Sequence, residues 1–236
     1  MSNEISLLAI TAASIGFIHT LFGPDHYLPF IVMSKARNWT MPRTMILTFL
    51  CGIGHVFSSV IIGILGVSIG IALSKLEAFE SIRGSLAGWA LMAFGLVYTI
   101  WGIRNAIRNK PHTHFHLHSD SSKHVHEHTH HDEHSHVHDA KKKNITPWIL
   151  FTIFVLGPCE PLIPILMYPA AQKSVSGMIF VTLIFAITTI STMMIIVYVA
   201  SLGLKMVFFK KMERYTHALA GGMLLLSGVA IIFLGL

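Results

Sequence analysis

Apolar stretches of eighteen or more residues recur on both sides of one polar segment in this 236-residue chain. Each is long enough to cross a bilayer, where a backbone must satisfy its own hydrogen bonds. Helices meet that condition within a single segment. The spans read from about Ile5 to Met33, Thr44 to Leu73, Gly84 to Ile103, Pro147 to Ala170, Ser176 to Leu204 and His217 to Leu236. The expected fold class is therefore all-α, a polytopic membrane protein with six transmembrane helices. A hydrophobic content of 53% with only 12% charged residues agrees. The formal net charge of +6 does not call for a nucleic-acid partner, because the basic residues flank the spans and form no aromatic-interleaved patch. Two cysteines and no CxxC exclude a disulfide framework and a cysteine-rich zinc module. The opening Met-Ser-Asn-Glu carries no base, so the first span is expected to stay in the mature protein.

Polar residues interrupt these spans where lipid disfavours them. The first contains His19-Thr-Leu-Phe-Gly23-Pro24-Asp25-His26, and the second carries His55 about twelve residues in. An ionisable group at bilayer depth costs about 2.5–3.5 kcal/mol on insertion scales, so it usually faces a polar cavity. Proline also removes a backbone bond, which predicts a broken helix at Gly23-Pro24. Imidazoles with a carboxylate suit a late transition metal better than magnesium or calcium. His19, Asp25, His26 and His55 are thus the candidate metal ligands. The fourth span contains Gly157-Pro-Cys159-Glu160-Pro, where Cys159 and Glu160 either complete that site or form a separate gate. Cys51 reads as a packing residue.

The spans also repeat. Gly23-Pro-Asp-His-Tyr-Leu-Pro-Phe-Ile-Val-Met33 aligns with Gly157-Pro-Cys-Glu-Pro-Leu-Ile-Pro-Ile-Leu-Met167, and Leu86-Ala-Gly88…Gly95…Gly102 with Leu219-Ala-Gly221…Gly228…Gly235. The offsets are nearly equal, and both alignments are ungapped. Three helices per copy is an odd number, so the second copy must enter the membrane inverted. The expected organisation is a first three-helix repeat over 1–103, a His-rich loop over 104–146 and a second repeat over 147–236.

That loop holds twelve histidines: His112, His114, His116, His118, His124, His126, His128, His130, His131, His134, His136 and His138. They read as auxiliary chelating groups on a mobile segment too polar to bury a core. Of the 17 lysines and arginines, 14 fall on the first, third and fifth loops. The positive-inside rule then places the His-rich loop in the cytosol of a cell (inner) membrane and both termini outside.

The His19-x5-Asp25-His26 signature and Gly54-His55 followed by serines resemble the nickel/cobalt transporter superfamily. The Gly-Pro-Asp-His form is similar to its urease-accessory-protein-H-like and nickel/cobalt-efflux relatives. That resemblance implies transport of Ni²⁺ or Co²⁺, with Zn²⁺ also accommodated, by alternating access at the His/Asp site. It implies no resident cofactor and no enzymatic activity. The partners would be the divalent ion, the lipid bilayer, and metal chaperones or nickel-enzyme maturation proteins. The Gly-Pro-Cys of the fourth span resembles instead the membrane thiol carriers of cytochrome-c biogenesis, which share a three-plus-three inverted arrangement. Those use one cysteine from each repeat, and here Asp25 matches Cys159. A membrane thiol/disulfide electron carrier is the alternative reading. An intramembrane metalloprotease would need a general base, as in His-Glu-x-x-His, and no such motif occurs.

Overall fold

A computed structural model describes residues 3–108, 112–117, 123–128, 145–157, 159, 161–172, 174–207 and 214–234. The first span is two helices, α1 (Asn3–Phe22) and α2 (Leu28–Ala36), joined by a 3₁₀ turn at Pro24–His26. Gly23 and Pro24 stop α1 as their chemistry requires, and Pro29 sits in the first turn of α2, where a missing N–H costs nothing. Then come α3 (Met41–Ser68) and α4 (Leu73–Arg108). The second half repeats the order: α5 (Thr146–Leu156), a break, α6 (Leu162–Ala171), α7 (Val175–Val207) and α8 (Thr216–Val229), which ends in a π turn at Ala230–Leu234.

Among the described residues, four helical segments are long and apolar enough to cross a membrane: Met41–Gly66, Leu73–Arg108, Val175–Gly203 and Thr216–Leu234. The shorter apolar helices Ser6–Phe22 and Thr146–Leu156 belong to the two broken elements. Large apolar side chains point outward along the bundle, among them Phe57, Val97, Trp148 and Ile187, each more than half exposed. Such a surface would be an aggregation liability in water and is matched by lipid.

Inside, hydroxyls return to the carbonyl one turn back. Thr20 donates to Gly16 O, Thr48 to Thr44 O and Thr192 to Thr188 O, each at 2.7–2.9 Å. Polar side chains are thereby satisfied without water. The most extensive helix contact is α4 on α8. Their glycines allow it, since a Cβ on Gly95 would lie 2.3 Å from Leu225 N and one on Gly102 2.4 Å from Ala218 N. Elsewhere α1 packs on α7 and α3 on α5, while α2 meets α8 and α6 meets α4.

Two expectations need correction. The third span does not start at Gly84 after a charged loop. Helix α4 already runs from Leu73, so Lys75, Glu77, Glu80 and Arg83 are helical, and Glu80 is fully buried. It also continues past Ile103 to Arg108. Within the segment expected to lack regular structure, the backbone forms two antiparallel strands, β1 (His112–Leu117) and β2 (Lys123–His128), registered His112 to His128 and His116 to His124. The loop histidines His118, His130, His131, His134, His136 and His138 lie outside the described residues, as do Pro158 and Glu160.

Candidate functional site at the two helix breaks

The turn at Pro24–His26 swings His26 back under the end of α1. Ring centroids of His19 and His26 are 4.6 Å apart, and those of His26 and His55, reaching across from α3, are 4.9 Å apart. His19 and His55 stack at 6.5 Å. Their ligand atoms all lie within 4.8 Å of one another. His26 and His55 are buried, and Gly23 makes room for the arrangement: a Cβ there would sit 2.5 Å from His26 Nδ1.

Hydrogen bonding settles two of the tautomers. His26 Nδ1 lies 3.1 Å from Gly23 O and 3.2 Å from an Asp25 carboxylate oxygen. His55 Nδ1 lies 3.3 Å from Phe154 O. All three partners can only accept, so both Nδ1 atoms carry the proton and each Nε2 presents a lone pair. The Nε2 atoms of His19, His26 and His55 are all buried without a hydrogen-bond partner among the described residues. Buried polar nitrogens are normally satisfied, and a convergent set of three fits a proton or a metal ion between them. Asp25 stands beside this group rather than inside it, holding the His26 ring through Nδ1.

The second break is built differently. Helix α5 leaves C-terminal carbonyls unsatisfied, and Cys159 has an amide with no intrahelical acceptor. Arg83 Nη2 donates to Val155 O at 2.8 Å and to Gly157 O at 3.4 Å. Glu80 accepts from the Cys159 amide at 3.2 Å, and Ser59 Oγ accepts from it at 3.1 Å. Arg83 and Glu80 pair with each other, Ser59 donates to Glu80 at 2.9 Å, and Arg83 also reaches Ser58 at 2.8 Å. A cation on carbonyls and an anion on an amide suit the polarity of the two helix ends.

One cavity of about 620 Å³ joins the two breaks, lined among others by His19, His26, His55, Gly157 and Pro161. Gly157 and Pro161 flank Cys159, which is itself fully buried against Val56, Leu162 and Phe185. Neither cysteine forms a disulfide. Cys51 belongs to another cluster, with Phe30, Phe154 and Met193. It precedes Ser59, whose hydroxyl meets the Cys159 amide, by eight residues on α3, about 12 Å along the axis.

Sequence reasoning found the three histidines, which the structure brings together. It missed Glu80, Arg83 and the bridging role of Ser59. The available signal was the Glu-x-x-Arg spacing, which pairs side chains on one helical face.

Fold and site together define a polytopic membrane protein with polar groups gathered at two helix breaks. The family model described as cytochrome C biogenesis protein transmembrane region matches residues 28–235. The chain belongs to that family. Assignment to the nickel/cobalt transporter superfamily is therefore overturned, and the expectation of nickel or cobalt transport falls with it. The motifs behind it lie in the first two spans, whereas the family match extends over both halves. No curated protein and no solved structure matches the chain.

Proposed function

We propose that this chain is a membrane carrier of reducing equivalents that works by thiol–disulfide exchange at Cys159. The observation that carries the reading is a cysteine outside any disulfide at a helix break, flanked by cavity-lining residues, in a chain of the cytochrome-c-biogenesis transmembrane family. The cavity has the volume of a small-molecule site, so the substrate class is a low-molecular-weight disulfide.

With Cys51 and Cys159 in separate apolar clusters, the cycle runs on one sulfur. The Cys159 thiol gives up its proton, and the acceptors are the imidazoles that line the same cavity as Gly157 and Pro161. The thiolate attacks one sulfur of the disulfide, forming a mixed disulfide and releasing one thiolate, which takes up a proton. On the other face of the membrane a dithiol reductant attacks the mixed disulfide. Its second sulfur then closes its own disulfide, and Cys159 and the carried group both leave as thiols. Two electrons and two protons pass from the dithiol to the substrate disulfide, and the atoms balance.

The element order supports an inverted three-plus-three architecture with six spans. Pairing of α1 with α7 mirrors that of α5 with α3, and α2 with α8 mirrors α6 with α4. Loop charges favour an inner-membrane orientation with the His-rich loop cytosolic, which puts the dithiol donor on that face.

The test is adduct trapping. Purified protein treated with a small aromatic disulfide should release one equivalent of coloured thiol and gain the adduct mass on Cys159. An adduct on Cys51 alone, or none, contradicts the reading.

The three Nε2 atoms without a partner among the described residues carry a second reading of the same cluster. His19, His26 and His55 would hold a resident transition-metal ion, with Asp25 orienting His26 from behind. Such an ion would organise the first break by joining α1, the turn and α3. Titration with Co²⁺, followed by its visible absorption, should show one site that His26→Gln abolishes. A spectrum unchanged between the two proteins removes this reading and leaves the proton-acceptor role.

A further inference from the structure

The geometry points to Glu80 and Arg83 as a latch that holds the second helix break closed over Cys159. This rests on the reading that Cys159 is the reacting thiol. The pair sits on α4 in the first half of the chain, and its partners Val155, Gly157 and Cys159 lie more than seventy residues away. The latch is therefore a tether between the two halves.

Glu80 is fully buried and Arg83 nearly so, in a helix otherwise suited to lipid. A buried ion pair is weak evidence for stability, because desolvation offsets much of the attraction. Here each ion also has a distinct task. Arg83 satisfies the last carbonyls of α5, and Glu80 satisfies the amide that leads into α6. Ser59 links the two ions, accepting from the Cys159 amide and from Arg83 and donating to Glu80. Moving α4 away would strip both helix ends at once, and the break would loosen at the residue it now buries. A positioning pair of this kind sets how often the thiol is reachable, without touching substrate itself.

The experiment measures the rate at which a maleimide alkylates Cys159 in detergent-solubilised full-length protein, in a Cys51→Ser background. In the parent the rate reports the small population in which the break is open. Glu80→Gln keeps an acceptor for the amide but breaks the ion pair, and Ser59→Ala removes the bridge. Each should raise the alkylation rate about tenfold to a hundredfold, the range expected for losing one hydrogen bond to a charged group. Arg83→Lys keeps the charge without the fork and should fall between parent and Glu80→Gln.

The exchanged pair, Glu80→Arg with Arg83→Glu, separates a latch from a plain ion pair. It restores opposite charges but turns a carboxylate towards the α5 carbonyls, so alkylation should stay fast. Rates equal to the parent in Glu80→Gln and Ser59→Ala, or protection regained in the exchanged pair, overturn the latch. Failure of the thiol reading shows up elsewhere: disulfide transfer would survive Cys159→Ser whatever the alkylation rates.

Discussion

Gly23 is the residue on which the first break depends most closely. A methyl group there would fall within 2.9 Å of His26 Nδ1, His26 Cε1 and Asp25 Oδ1 at once. Gly23→Ala should therefore push the His26 ring out of the cluster and separate the three Nε2 atoms. Disulfide transfer is expected to drop at least tenfold while the protein still folds, measured as initial rate beside the thermal midpoint. A wild-type rate would mean that the imidazole cluster takes no part. The three histidines were legible in the sequence because they interrupt apolar runs, where burial demands a reason. Glu80 and Arg83 were not. Charges at the edge of a hydrophobic stretch look the same whether they face water or a partner, and their partners lie in the other half of the chain. Asp25 was legible as a polar residue, but its place behind His26 depends on the 3₁₀ turn, which residue types alone do not specify.

Among the elements, α4 and α8 show what the repeated glycines are for. Gly88-x6-Gly95-x6-Gly102 and Gly221-x6-Gly228 fall along the contact between these helices, which run antiparallel: Gly95 meets Leu225, Thr99 meets Gly221 and Gly102 meets Ala218. Small residues let backbones approach, which is how helices associate where lipid removes the hydrophobic drive. Gly95→Leu should overpack this contact and cost about 1–3 kcal/mol, seen as a lower thermal midpoint. Gly222→Ala, with nothing within 4 Å of the added Cβ, should leave the midpoint unchanged or slightly raised. Equal losses from both would show that α4 and α8 do not pack this way. Both breaks could be read from the sequence, because Gly-Pro acts locally. Helix ends could not: α4 extends eleven residues before Gly84 because the Glu80–Arg83 pair is satisfied by tertiary contacts.

For the whole molecule, the first two spans gave a misleading family signal. His19, Asp25, His26 and His55 form a local pattern, whereas membership in the cytochrome-c-biogenesis transmembrane family rests on 28–235 as a unit. Site geometry then shifts weight to the second break, where the thiol, the latch and the shared cavity meet. The central claim is that reducing equivalents cross the membrane through Cys159 alone. The most direct measurement uses proteoliposomes with a dithiol reductant on the face of the His-rich loop and a small disulfide on the other. Wild-type protein should reduce the disulfide across the bilayer, Cys51→Ser should retain most of that rate, and Cys159→Ser should fall to the level of protein-free vesicles. Transfer that persists in Cys159→Ser, or that disappears equally in Cys51→Ser, would contradict it.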